Sequence, residues 1–239
     1  MDFKKLLRRN ETALIIAIVL LSVIIGAKSP EFYSLANLFD IFRSSFVQLL
    51  FALGVLVVII SGGIDVSFPV VGIFSGYSAV VLMKHFDWNP GNVMLPIALA
   101  VVIGVILGAL NSIAIASFGI PTLIATLGTS GIFRGIMLTF IGSSFISDIP
   151  AALDKFATAD LLKIQPAEGT LARLHVLIIP VVIITILVSL MLNRTMFGRS
   201  VYALGGGVEA TRRLGISIKR TQAKVYMFVG GISGLAGIL

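Results

Sequence analysis

Seven apolar runs divide the chain, at 12–27, 44–61, 66–83, 93–117, 121–141, 175–192 and 225–239, with shorter polar stretches between them. A helix of roughly 20 apolar residues crosses the hydrocarbon core of a bilayer. In lipid, only helices and closed barrels keep their backbone groups satisfied. The pattern predicts an all-α, polytopic transmembrane helix bundle forming a single domain over 1–239, with membrane lipid around its outer faces. The first run is short for a full crossing and follows Lys4, Lys5, Arg8 and Arg9, as the core of a signal peptide would. Ser22 to Lys28 offers no A-x-A cleavage pattern, and six further runs follow, so it is expected to be a retained first helix.

Two separations are too short for solvent-exposed loops. Gly62-Gly63-Ile64-Asp65 parts the second and third runs, and Ser117 to Pro121 parts the fourth and fifth. Gly and Pro breaks at membrane depth persist only where protein or a water-filled cavity satisfies the freed backbone. Such broken helices are where transporters tend to pass their cargo. Glycines also recur at four-residue spacing, at Gly72/Gly76, Gly104/Gly108, Gly131/Gly135 and Gly230/Gly234, a spacing that lets helix backbones approach.

Composition strengthens the membrane reading. Hydrophobic residues make up 57% of the 239, charged residues only 12%, and the mean hydropathy is +1.07. No soluble domain of this size could cover so much apolar surface. Without cysteine there is neither a disulfide framework nor a thiolate site. His85 and His175 stand apart from each other and from carboxylates at ligand spacing, so no metal is expected and no cofactor is called for.

The net charge of +7 is not arranged as a nucleic-acid surface, which would interleave basic and aromatic residues. It concentrates at Lys4–Arg9 and again at Arg194, Arg199, Arg212, Arg213, Lys219, Arg220 and Lys224. Positive residues mark cytoplasmic loops. This predicts a cytoplasmic N-terminus and a main cytoplasmic loop at 193–224. Segment 142–174 offsets its cations with Asp148, Asp154, Asp160 and Glu168, as an outer segment would.

Asp65 is the carboxylate in the most apolar surroundings, within Ser61-Gly-Gly-Ile-Asp-Val-Ser67. An ionisable group inside a membrane span marks a functional site by default, although Asp also opens helices by accepting free N–H groups. Ser67, Asn111 and Thr126 are candidates to line the same polar pathway. Gln48, Thr129 and Ser130 are weaker ones, because small polar groups commonly only bond across helices. Arg134, well inside the fifth run, is expected to snorkel outward. No Ser/His/Asp set, HExxH string or close carboxylate pair is present, so no catalytic residue is expected.

Three strings together resemble the permease subunits of bacterial ABC importers for ribose, xylose, galactose and autoinducer-2. Ser61–Ser67 is similar to S-G-G-I-D-L-S. Gly108-Ala-Leu-Asn111, Ile120-Pro-Thr-Leu-Ile-Ala-Thr-Leu-Gly128 and Arg134-Gly135 resemble G-x-x-N-G, I-P-x-F-I-x-T-L-G and R-G. Thr195-Met-Phe-Gly-Arg199, Tyr202-Ala-Leu-Gly-Gly206 and Glu209–Ile216 resemble T-x-F-G-R, Y-A-x-G-G-N and A-A-R-x-x-G-I. Departures are Phe68-Pro69 for V-G, Ser112 for Gly, Gly207 for Asn and Thr211 for Ala.

The resemblance implies an ATP-driven, binding-protein-dependent importer of a sugar or sugar-like solute in the bacterial cytoplasmic membrane. It implies three partners: an ABC ATPase subunit, an extracytoplasmic solute-binding protein and a second permease protomer. The chain lacks a G-x-x-x-x-G-K-[ST] string, so ATP hydrolysis would belong to the separate subunit. A coupling helix is then expected near Val208–Leu214, with Gly206, Glu209, Ala210, Arg212, Arg213, Leu214 and Gly215 facing the ATPase and Leu214 as its apolar knob. Because members of the family continue with further helices, an incomplete C-terminus is expected. The alternatives are an ion-coupled secondary transporter using Asp65, or a permease for branched-chain amino acids.

Overall fold

A computed structural model describes residues 10–89, 91–165 and 170–239. The basic run Lys4–Arg9 and Glu168 lie outside the described residues. Two compact units emerge: the residues up to Ser44 with Asp160–His175, and Ser45–Ala159 with Val176–Leu239.

In the first unit, α1 (Asn10–Lys28) is apolar around its circumference. The ring of Tyr33 lies against Gly26, and its hydroxyl donates to the Ser22 carbonyl at 3.0 Å. α2 (Leu35–Ile60) begins here and runs on into the second unit. It starts nine residues before the apolar run because Ser34 Oγ accepts the Asn37 N–H at 3.1 Å. A capped helix tolerates Asp40 and Arg43 beyond its apolar stretch. An antiparallel hairpin, β1 (Asp160–Ile164) with β2 (Ala172–His175), interrupts the otherwise helical chain inside the expected outer loop. Lys163 and Arg173 reach Asp160 at 3.7 and 4.0 Å.

The second unit contains α3 (Phe68–His85), α4 (Met94–Ser112), α5 (Thr122–Ile136), α6 (Ala151–Ala157), α7 (Ile178–Arg194), α8 (Met196–Gly206), α9 (Val208–Arg213) and α10 (Ile218–Ile238). π-turns at Ile113–Ser117 and Met137–Ile141 extend α4 and α5. Four helices among the described residues are long and apolar enough to cross a membrane, and a fifth crossing is available if α7 and α8, bent by 70°, count as one span. Flanking the breaks at 62–65 and 118–121 are helices of 26, 18, 24 and 20 residues, π-turns included. Each break is thus a tight turn between helices of membrane length, and the sharply broken pair is α7–α8.

The core forms around α10, whose Val225, Tyr226, Val229 and Ile232 are buried. It is buried by backbone approach. A Cβ on Gly104 would strike the Gly230 carbonyl and one on Gly230 the Gly104 carbonyl, while Gly108 faces the Tyr226 carbonyl and Gly76 that of Gly237. Three of the four glycine pairs therefore seat α10 between α3 and α4. At the fourth, Gly131/Gly135 on α5, an added Cβ would meet no other element within 4 Å among the described residues.

The segment 193–224, expected as a loop carrying a short helix near Val208–Leu214, is largely helical, with α9 at Val208–Arg213 and α8 before it. Thr195 Oγ1 accepts the Gly198 N–H at 3.1 Å to start α8. Ser217 Oγ accepts the Arg220 N–H at 3.4 Å, so α10 begins seven residues ahead of its apolar run. At the far end of α3, the Trp88 N–H reaches the Met83 carbonyl at 2.8 Å and the Asp87 N–H the Lys84 carbonyl at 3.3 Å. That closure puts Asp87 at φ +54°, a place glycine usually fills. Asp is one of the few residues with a side chain that visits this left-handed conformation.

Candidate functional site

The turn between α2 and α3 is where polar groups gather. Gly62 reverses the chain at φ +81°, and Asp65 then accepts both the Ser67 N–H and the Ser67 hydroxyl on one oxygen, each at 2.7 Å. Ser67 Oγ in turn accepts from the Asn111 amide of α4 at 2.7 Å. From α5, Thr122 Oγ1 accepts the Ile64 N–H at 3.0 Å and Thr126 Oγ1 the Val66 N–H at 3.3 Å. The irregular backbone at 64–66 is thereby satisfied by two threonines one helical turn apart, as a buried break requires.

Asp65, Ser67, Asn111 and Thr126 are thus brought into one cluster, with exposures of 5%, 0%, 1% and 0%. Gln48 and Ser130 make none of the hydrogen bonds described for this turn. Thr129 donates back to the Ala125 carbonyl at 3.0 Å, a local bond within α5. Arg134 is exposed on α5. Tyr226 was not singled out from the sequence, yet its hydroxyl points at the turn. A Cβ on Gly63 would come within 2.9 Å of it. Among the described residues, the Tyr226 hydroxyl and Asn111 Oδ1 are both buried without a hydrogen-bond partner. The available signal was that Tyr226 is the only tyrosine in the last apolar run.

A second set of contacts leads away from the turn. Gly205 of α8 lies against the Ile60 carbonyl, and its Cα is 3.4 Å from where a Gly62 Cβ would be. α8 joins α9 through Gly207, and the Thr211 hydroxyl donates back to the Ala203 carbonyl at 2.6 Å or to that of Gly207 at 2.8 Å. Alanine at 211 could not make that bond, which ties α9 back to α8. The outer surface of α9 is open. Glu209 Oε1 accepts from Arg212 at 2.8 Å with both side chains exposed, Ala210 and Arg213 are exposed, and Leu214 is 71% exposed just before Gly215 at φ +73°. A Cβ added at Gly206 would meet no other element within 4 Å among the described residues. A chain of direct contacts therefore links the exposed basic segment to the buried polar turn.

Comparison with known proteins gives this geometry a context. A family model described as "Branched-chain amino acid transport system / permease component" matches residues 37–239. The autoinducer 2 import system permease protein LsrC of Salmonella typhi is 33% identical over 97% of this chain and 62% of its own length. Its counterpart from Klebsiella pneumoniae is 33% identical over 99% of this chain and 64% of its own. That from Yersinia pseudotuberculosis is 32% identical over 97% and 62%. The chain thus spans a little under two thirds of the length of these relatives. No solved structure matches it. With the family model covering all but the first 36 residues, the chain belongs to the permease-component family.

Proposed function

We propose that this chain is the membrane-spanning subunit of an ATP-driven importer that moves a sugar or sugar-like solute across the bacterial cytoplasmic membrane. A separate ABC ATPase supplies the energy, an extracytoplasmic binding protein delivers the solute, and a second permease protomer completes the translocation unit. The similarity to autoinducer 2 permeases supports the solute class and makes that molecule the first cargo to test. The N-terminus and the segment 193–224 lie on the cytoplasmic side, where the excess of Lys and Arg favours them. Besides the four or five helices long and apolar enough to cross, this reading counts α1 and α10 as crossings, so that the helices over all seven apolar runs alternate across the membrane.

The observation that carries the mechanism is the backbone contact of Gly205 with Ile60, beside the buried turn. In this reading α9 docks on the ATPase through Leu214, flanked by Glu209, Arg212 and Arg213. Closure of the ATPase moves α9, the Thr211 bond makes α8 follow, and Gly205 pushes on the turn. Asp65, Ser67, Asn111 and Thr126 form a polar gate in the solute path, closed in this conformation because all four are shielded. Gate opening parts Ser67 from Asn111, exposing hydroxyl and amide groups that suit an uncharged, hydroxyl-rich solute.

Branched-chain amino acids are the second reading, favoured by the family's own description. Proteoliposomes holding the permease and its ATPase separate the two. Labelled autoinducer 2 and pentoses should enter with ATP and binding protein present, and labelled leucine should not. Uptake of leucine alone overturns the solute assignment.

A further inference from the structure

Segment 193–224 carries seven cations and a single acid, Glu209, which accepts from Arg212 at 2.8 Å. Arg212 and Arg213 belong to α9, whose open side the importer reading gives to the ATPase. Arg194 and Arg199 stand elsewhere, at the corner where α7 turns into α8. Both are exposed, and neither makes an ion pair among the described residues. We propose that this corner binds the anionic head group of a phospholipid through Arg194 and Arg199. From the importer reading the proposal takes only that the segment lies on the cytoplasmic side of the membrane.

Three features point to a lipid and not to a soluble anion. First, the 70° bend sets α8 across the direction of the apolar helix α7. With α7 following the membrane normal, α8 lies near the membrane plane at its inner edge, where amphipathic helices rest. Second, α8 has two unlike faces. Gly198, Val201 and Leu204 are buried, whereas Met196, Arg199 and Tyr202, three residues apart, are exposed. Met196 is 68% and Tyr202 49% exposed. An arginine between two such side chains suits the boundary of acyl chains and head groups. Its stem and its neighbours cover apolar surface, and its guanidinium stays level with the phosphates.

Third, the charges are complementary. Guanidinium groups bind phosphate oxygens in a two-pronged way. A zwitterionic head group brings its own cation to that phosphate, whereas an anionic one leaves a net charge for the arginines to meet. Topology alone asks for positive charge somewhere on the inner side. It does not ask for an exposed arginine set between two apolar side chains on a helix turned into the membrane plane.

The purified full-length protein in a neutral detergent is titrated with phosphatidylglycerol, phosphatidylcholine and inorganic phosphate, without ATPase or binding protein. Bound lipid is counted by native mass spectrometry, and the melting temperature is followed in parallel. Phosphatidylglycerol should bind saturably and raise the melting temperature, and the other two should do neither. Arg194→Gln and Arg199→Gln should each weaken phosphatidylglycerol roughly fivefold, the share of one cation at an anionic membrane surface. Arg199→Lys should weaken it less than Arg199→Gln does. Lys155→Gln, which removes an exposed cation from α6, should leave it unchanged. Equal binding of phosphatidylcholine, saturation by phosphate alone, full affinity in both glutamine variants, or an equal loss in Lys155→Gln overturns the proposal. ATP-dependent uptake by a protein that binds no phosphatidylglycerol leaves the importer reading intact and removes this one alone.

Discussion

Asn111 holds the α2–α3 turn to α4 through a single amide donor. Replacing it with Ala removes a buried bond to Ser67 and leaves the Asp65–Ser67 pair without its anchor on α4. The expected loss is about 1–3 kcal/mol, read as a lower melting temperature of the purified protein, with membrane insertion unchanged. An unchanged melting temperature would place the bond outside the folded core. Ser67, Asn111 and Thr126 could be picked out in the sequence because each interrupts an apolar run, and Asp65 because it stands in the break between two; what the structure adds is that all four are buried together. Tyr226 was not, because a tyrosine in an apolar helix is unremarkable until its hydroxyl is found buried and, among the described residues, without a hydrogen-bond partner. Thr211 stood out only as a departure from a pattern. Its hydrogen bond to Ala203 gives that departure a purpose, and Thr211→Ala should cost about 1 kcal/mol while loosening the elbow.

Among the elements, the glycine-bearing helices allow a sharper comparison. Gly104→Ala drives a methyl into the Gly230 backbone, where neither helix can yield without parting from the other. Gly131→Ala adds the same methyl to open space on α5. The first should destabilise the protein by about 1–3 kcal/mol, the range for overpacking, and the second should leave its melting temperature unchanged or slightly higher. Equal effects would contradict the packing of α10 between α3 and α4.

Spacing alone could not separate the pairs, since all four share the same four-residue interval. What differs is whether a partner helix arrives, and that is settled by tertiary structure. The helices over the apolar runs were legible from hydropathy. Their ends were not, because Ser34 and Ser217 start α2 and α10 in polar sequence. The β1–β2 hairpin was hidden for a related reason, since its two short strands carry as many charges as a loop.

At the scale of the whole molecule, the proposed mechanism runs from the exposed helix α9 through α8 to the buried polar turn, where Gly205 meets the backbone of Ile60 and Gly62. Gly206→Pro combined with Glu209→Lys should abolish co-purification with the ATPase and leave insertion intact, because both positions lie on the open side of α8 and α9. Retained co-purification and uptake would separate α9 from the ATPase. Gly205→Ala should do the reverse, since its methyl meets the Ile60 carbonyl and not the partner. The ATPase should still bind, but solute should no longer move. The most direct test of the central claim is solute uptake into proteoliposomes containing the full-length permease, its ATPase and its binding protein. The account predicts uptake that requires internal ATP and binding protein, persists when ion gradients are collapsed, and is lost in Gly205→Ala. Uptake that follows an imposed proton or Na⁺ gradient without ATP would contradict it.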